Sequence, residues 1–281
     1  MSTMTQAMQL YQQRKFAEAV PLFMQTVNNA PDDYDTWTFL ACAQLELNRP
    51  ADALTSAEKA ISANGQHAPA WVAKARALSA LDRPEEGLAA CDHALMIEPM
   101  SASAYLYKGK ILSDEGRDQE ALGEFEQSLR IDGTSFEAIR CKAATLIDTN
   151  QLRQAVLVAE RMARLFPKSP RPWMLKALAL AQEERYDEAL QSVSRAVSLA
   201  PQDPEVQMLQ AYIYGASGDE GRARSILKQV TRNDPNNREA AAILAELTRM
   251  RNARALVASG RVAGGVVRGT GAVVGAIFRS L

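Results

Sequence analysis

Apolar and small residues recur along this chain at an interval of 34 residues, and the polar punctuation keeps the same step. A proline or glycine falls at Pro31, Gly65, Pro99, Gly133, Pro167, Pro201 and Pro235. A fixed period of this length marks a repeat array, and it governs every local reading. With that residue counted as position 32 of each repeat, position 8 is always small: Ala41, Ala75, Gly109, Ala143, Ala177 and Ala211. Position 20 is small as well, with Ala53, Gly87, Ala121, Ala155, Ala189 and Ala223. Position 24 holds Ala57, Cys91, Phe125, Ala159, Val193 and Leu227.

Positions 4, 8 and 11 share one helical face, as do 20, 24 and 27, because residues three and four apart stack along a helix. Each repeat therefore predicts two helices, divided by a short polar break such as Asn48-Arg49-Pro50 or Asp82-Arg83-Pro84. Small residues at 8 and 20 let the pair approach closely. Position 4 (Trp37, Trp71, Tyr105, Ile139, Trp173, Gln207) fills the space above them. Proline at position 32 ends the second helix, since its ring obstructs continued helical bonding.

This pattern resembles the tetratricopeptide repeat: aromatic at 4, small at 8, Ala at 20, apolar at 24, Ala at 27 and Pro at 32. The resemblance covers residues 34–237 as six repeats in unbroken register. Residues 1–33 read as a further repeat, with Phe16, Ala19, Phe23 and Pro31 in its second helix. Residues 238–252 read as a capping helix, and 253–281 as a tail rich in Gly, Val and Arg. The expected fold class is all-α, an α-solenoid of about seven such hairpins. Capping helices cover the open end of such stacks.

The resemblance implies binding to other proteins, not catalysis. Its first helices would line a concave groove, with positions 2, 5, 9 and 12 turned towards it. On that basis the groove residues are Val72, Arg76, Leu106, Tyr107, Lys110, Arg140, Met174, Leu178, Met208 and Tyr212. Basic residues in the middle of the chain and apolar ones further on suit a partner segment with acidic residues followed by a hydrophobic anchor. The clamp that some family members use for chaperone C-termini is missing, because its places hold Thr38, Cys42, Ala73, Ser103 and Tyr107.

Charge adds one feature. The net charge of −1 hides an asymmetry: residues 1–246 carry −7, and the six arginines beyond Glu246 carry +6. The net charge does not point to a nucleic-acid partner, and the asymmetry points to a tail with a different partner from the body. Arg254, Arg261, Arg268 and Arg279 fall within about 40° on a helical wheel, opposite a face that includes Val262, Ile277 and Phe278. With Arg268 near its centre, the apolar stretch is a poor transmembrane span. Contact with an anionic membrane surface, contact with protein (including self-association), and a tail without a role all stay open. Six glycines in the tail each cost a helix about 0.8–1 kcal/mol, so the helix would need a surface to form on.

Three cysteines and two histidines lack metal-ligand spacing, so no metal, cofactor or catalytic residue is expected. Gly264-Gly265 and Gly269-Thr270-Gly271 lack the lysine of a phosphate loop. The opening residues lack a signal-like apolar run, which makes the cytoplasm the expected compartment. Three roles remain: an adaptor or scaffold, a membrane-anchored assembly factor, and a substrate-selecting subunit of a separate enzyme.

Overall fold

The computed structural model describes residues 2–258, with side chains described as far as residue 249. Helices account for all the regular structure among these residues, and they divide into two compact units, Met1–Thr145 and Leu146–Leu281. The first unit holds α1 (Thr3–Gln12), α2 (Phe16–Asn29), α3 (Tyr34–Glu46), α4 (Pro50–Ala63), α5 (Ala68–Ala80), α6 (Pro84–Ile97), α7 (Ala102–Asp114) and α8 (Asp118–Ile131). It also takes most of α9 (Phe136–Asp148). The second holds α10 (Leu152–Leu165), α11 (Arg171–Gln182), α12 (Tyr186–Leu199), α13 (Pro204–Ala216), α14 (Glu220–Asn233) and α15 (Arg238–Ala258). The fold class is all-α, a succession of 34-residue helical hairpins followed by α15, as the sequence predicts, although α15 runs to Ala258, beyond the expected 238–252 cap and into the expected tail. Arg261, Arg268, Arg279, Ile277 and Phe278 lie outside the described residues, and Arg254 lies in α15.

The periodic positions are the packing positions. Every residue named above at positions 8, 20 and 24 is buried. The hairpins turn on a residue with positive φ at position 15: Arg14, Asn48, Asp82, Gly116, Asn150, Glu184 and Gly218. That left-handed conformation reverses the chain within a few residues. The residue before position 32 is extended even where no proline follows, as at Asp132 before Gly133 (φ −122, ψ 89).

Two features tie one element to the next. Trp37 and Trp71 donate their indole N–H to the carbonyls of Pro31 and Gly65 at 2.8 and 2.9 Å. Gln207 makes the same bond to Pro201 at 2.6 Å, which explains why an amide can stand where tryptophan usually does. Between successive hairpins, a lysine at position 7 meets an acid at position 25 of the preceding repeat: Lys74–Glu58 (3.1 Å), Lys108–Asp92 (2.9 Å) and Lys142–Glu126 (2.8 Å) in the first unit. Lys176–Glu160 (2.7 Å) repeats it in the second.

Gly109 and Phe125 show how the register tolerates a large residue. Phe125 occupies position 24 of its repeat and is 1% exposed. A methyl group on Gly109 would lie 2.7 Å from its ring, so the aromatic fits only because the opposing position 8 has no side chain.

Candidate functional site

In the first unit the odd-numbered helices pack on one another as well as on their even-numbered partners, α3 with α5 and α5 with α7. Their common face encloses a cavity of about 380 Å³. Tyr11 of α1, Thr38, Phe39 and Cys42 of α3, Val72, Ala73 and Arg76 of α5, and Ser103 and Tyr107 of α7 line it, with Asp35, His67 and Pro69. Three aromatic rings give it an apolar body, and Arg76 supplies a charge.

Arg76 sits at the centre of a polar chain. Its Nη2 donates to Glu46 Oε1 at 2.9 Å, and its Nη1 lies 3.8 Å from Cys42 Sγ. Its Cζ lies over the Tyr107 ring, 4.8 Å from the centroid, and Lys110 Nζ approaches the same ring at 5.4 Å. A cation over an aromatic face is attracted by the ring quadrupole. Lys110 Nζ then donates to Glu137 Oε1 at 3.1 Å. Arg140 donates to both oxygens of Glu137, at 3.0 Å through Nε and 2.7 Å through Nη2.

Burial sets the protonation states. It pushes the Tyr11 phenol up to about 12, with the neighbouring Cys42 adding to the effect. It also raises the Cys42 thiol and the Tyr107 phenol, leaving both neutral near pH 7. Burial alone would lower the Arg76 guanidinium, but Tyr107, Cys42 and Glu46 together raise it. The bonds from Arg140 hold the Glu137 carboxyl at about 2.

The expected groove residues divide sharply. Arg76, Tyr107, Lys110 and Arg140 are half-buried and form the chain just described. Val72 lines the cavity although only 6% of it is exposed. Leu106 is a core residue beside Phe125 and Leu112. In the second unit Met174 packs with Leu180 and Ile213, while Leu178 lies against that cluster. Met208 packs with Leu227 and Ile243. Met174 and Met208 are 7% and 3% exposed, so they are core, not open contact area. The reason is geometric: position 5 points between successive first helices, and only Arg140 is too polar to be buried there. Tyr212 bridges the two clusters, its phenol raised by burial. At position 2 of these repeats, Arg171 and Glu205 pair at 2.8 Å.

Sequence reasoning missed Tyr11, Phe39, Glu46 and Glu137. Glu137 occupies position 2 and Tyr11 position 12, both groove positions of the same template. The basic stripe is thus not free: each of its two acids is shared between cations, Glu46 by Arg76 and, at 3.9 Å, Arg14, and Glu137 by Lys110 and Arg140.

Among the described residues no helix is long and apolar enough to cross a membrane. The chain matches the tetratricopeptide repeat family over residues 4–69, 40–98, 72–136 and 142–204, and again over 180–247. No curated protein matches. Among solved structures it is similar to a chain of the APC/C hetero-tetramer Cut9-Hcn1, at 17% identity and TM-score 0.70, over 86% of this chain and 48% of that one. It therefore spans about half the length of that relative. It is also similar to PilF of Pseudomonas aeruginosa, at 20% identity and TM-score 0.63, over 76% and 97% of the two chains. YrrB, described as a TPR protein with an unusual peptide-binding site, matches at 22% identity and TM-score 0.51, over 66% and 96%. At these identities the likeness is one of fold.

Proposed function

We propose, from the premise that the chain belongs to the tetratricopeptide repeat family, that it is a scaffold which holds a segment of another protein against the first unit. The observation that carries this reading is the cavity between Tyr11, Phe39, Val72 and Tyr107, with Arg76 in its wall. Apolar concave surface beside a few oriented polar groups is the usual composition of a recognition site. The packing also leaves it accessible: its lining is drawn from first helices, whereas positions 8, 20 and 24 are consumed in holding the hairpins together.

A photo-crosslinking residue at Ser103, which is exposed and lines the cavity, tests this in extract from the source cells. The control places the same residue at Glu85, exposed on α6. Adducts formed from 103 and not from 85, and weakened by combining Arg76→Glu with Lys110→Glu at unchanged helicity, support the groove. Identical adducts from both positions, or none from 103, reject it.

A further inference from the structure

The cations of the first unit are not equivalent. Arg140 spends two donors on Glu137, and Lys110 shares that carboxylate. Arg76 meets a single oxygen, Glu46 Oε1, while its Nη1 faces only the poor acceptor Cys42 Sγ. A guanidinium presents its donors as a rigid fork suited to bidentate carboxylate binding. Contact with the face of Tyr107 restrains that fork, so less freedom remains to be lost when an anion arrives. The Arg76 side chain is still 20% exposed and belongs to the cavity wall.

Glu46 has somewhere else to go. Its second oxygen already lies 3.9 Å from Arg14, whose side chain is 80% exposed. Arg14 and Arg76 against Glu46 form a cluster with one positive charge in excess, before Asp35 of the cavity lining is counted. The acid of the cavity lining itself, Asp35, lies 3.6 Å from His67.

We infer, on the groove reading above, that Glu46 stands in for a carboxylate of the partner. The bound segment carries an acidic side chain that replaces Glu46 on Arg76, and an adjacent aromatic or branched aliphatic side chain that fills the space between Tyr11, Phe39 and Val72. Glu46 is then an internal competitor that sets the affinity. The displaced carboxylate moves onto Arg14, which keeps the exchange electrically balanced.

The test is selection of random twelve-residue peptides, displayed on phage, against the full chain, followed by fluorescence anisotropy of the selected peptides. The peptides should pair Asp or Glu with a neighbouring Phe, Tyr, Leu or Ile. Their affinity should rise about tenfold in Glu46→Gln and fall about tenfold or more in Arg76→Gln, the scale of one charge-assisted hydrogen bond. The gain in Glu46→Gln cannot come from misfolding, and circular dichroism checks Arg76→Gln. Ser103→Trp, which obstructs the cavity, should abolish binding. Peptides that bind Ser103→Trp unchanged, or a selection that yields none, overturn the groove reading itself. Peptides blocked by Ser103→Trp that lack acids, or that bind Glu46→Gln no better than the parent, overturn the counter-ion exchange alone. Lys- or Arg-rich peptides that need Glu46 do the same, since Glu46 would then be the recognising group.

Discussion

Replacing Gly109 with alanine should destabilise the first unit, although helix propensity alone argues the reverse. In an exposed helix interior the change gains about 0.5–1 kcal/mol, because glycine loses more backbone freedom on folding. At Gly109 the added carbon would lie 2.7 and 2.8 Å from two ring carbons of Phe125 and 3.2 Å from the carbonyl oxygen of Ala121. Carbon atoms prefer about 3.5–4.0 Å. Phe125 is 1% exposed and cannot swing into solvent, so the helices must separate. Overpacking of this kind costs about 1–3 kcal/mol, leaving a net loss of up to about 2.5 kcal/mol. Gly123 on α8 is the internal control: a methyl group there meets no atom within 4 Å, and Gly123→Ala should stabilise by about 0.5–1 kcal/mol. In a Phe125→Leu background Gly109→Ala should become neutral or favourable. The chain already contains that combination as Ala211 and Leu227, both buried. Urea unfolding followed by circular dichroism gives the midpoints, and amide exchange in α7 and α8 localises the effect, since repeat arrays need not unfold in one step. If Gly109→Ala raises the midpoint as Gly123→Ala does, Phe125 does not press on α7 and the account of position 8 fails.

Two further outcomes follow from single bonds. Trp71→Phe removes the donor to Gly65 and should cost about 0.5–1.5 kcal/mol more than Trp173→Phe, measured as the difference in unfolding midpoints. Trp173 Nε1 is buried without a partner, so deleting its N–H relieves a desolvated group; equal losses for the two variants would refute the indole bond as a tie between repeats. Glu137 titrates near 2 in the folded chain against an ordinary 4.5, so its contribution is complete above about 4.5 and is lost as pH falls towards 2. Glu137→Gln should be less stable at pH 7 by about 1 kcal/mol, a figure discounted because 39% of the side chain is exposed. That gap should close on acidification, and a gap independent of pH would show that the carboxylate charge is not what Arg140 and Lys110 hold.

The frame was legible because packing inside a hairpin repeats with the hairpin. Ala41 meets the second helix of its repeat as Ala177 does, so positions 8, 20 and 24 write the core into the sequence with one period, and all are buried. The left-handed residue at position 15 is periodic for the same reason. The lysine–acid pairs at positions 7 and 25 share that interval, yet they carry no apolar signature and pass for ordinary surface charge. The site was less legible. Its ion pairs join different repeats at unequal offsets, 30 residues for Arg76–Glu46 and 27 for Lys110–Glu137, so no period announces them. Position 5 was misjudged for Met174 and Met208 because a methionine suits a groove and a core equally well; only the neighbouring helix decides, and in the second unit it covers both.

A strict period also determines where recognition can reside. Positions that hold the hairpins together are spent on packing in every repeat, so differences between repeats fall on the positions that packing leaves free. In the first unit positions 6 and 9 include Phe39, Tyr107, Cys42 and Arg76, which line one cavity, and Lys110, which lies over the Tyr107 ring. In the second they carry Leu175, Leu209, Leu178 and Tyr212, of which Leu209 is core and the last two pack against it. The same backbone plan thus carries aromatic and charged side chains at these positions in one unit and mainly aliphatic ones in the other. These positions lie outside the packed set at positions 8, 20 and 24. Changing Arg76 or Glu46 can therefore alter binding while the helices stay intact, whereas improving the fit at positions 8 or 20 strengthens the frame without creating a place for a partner.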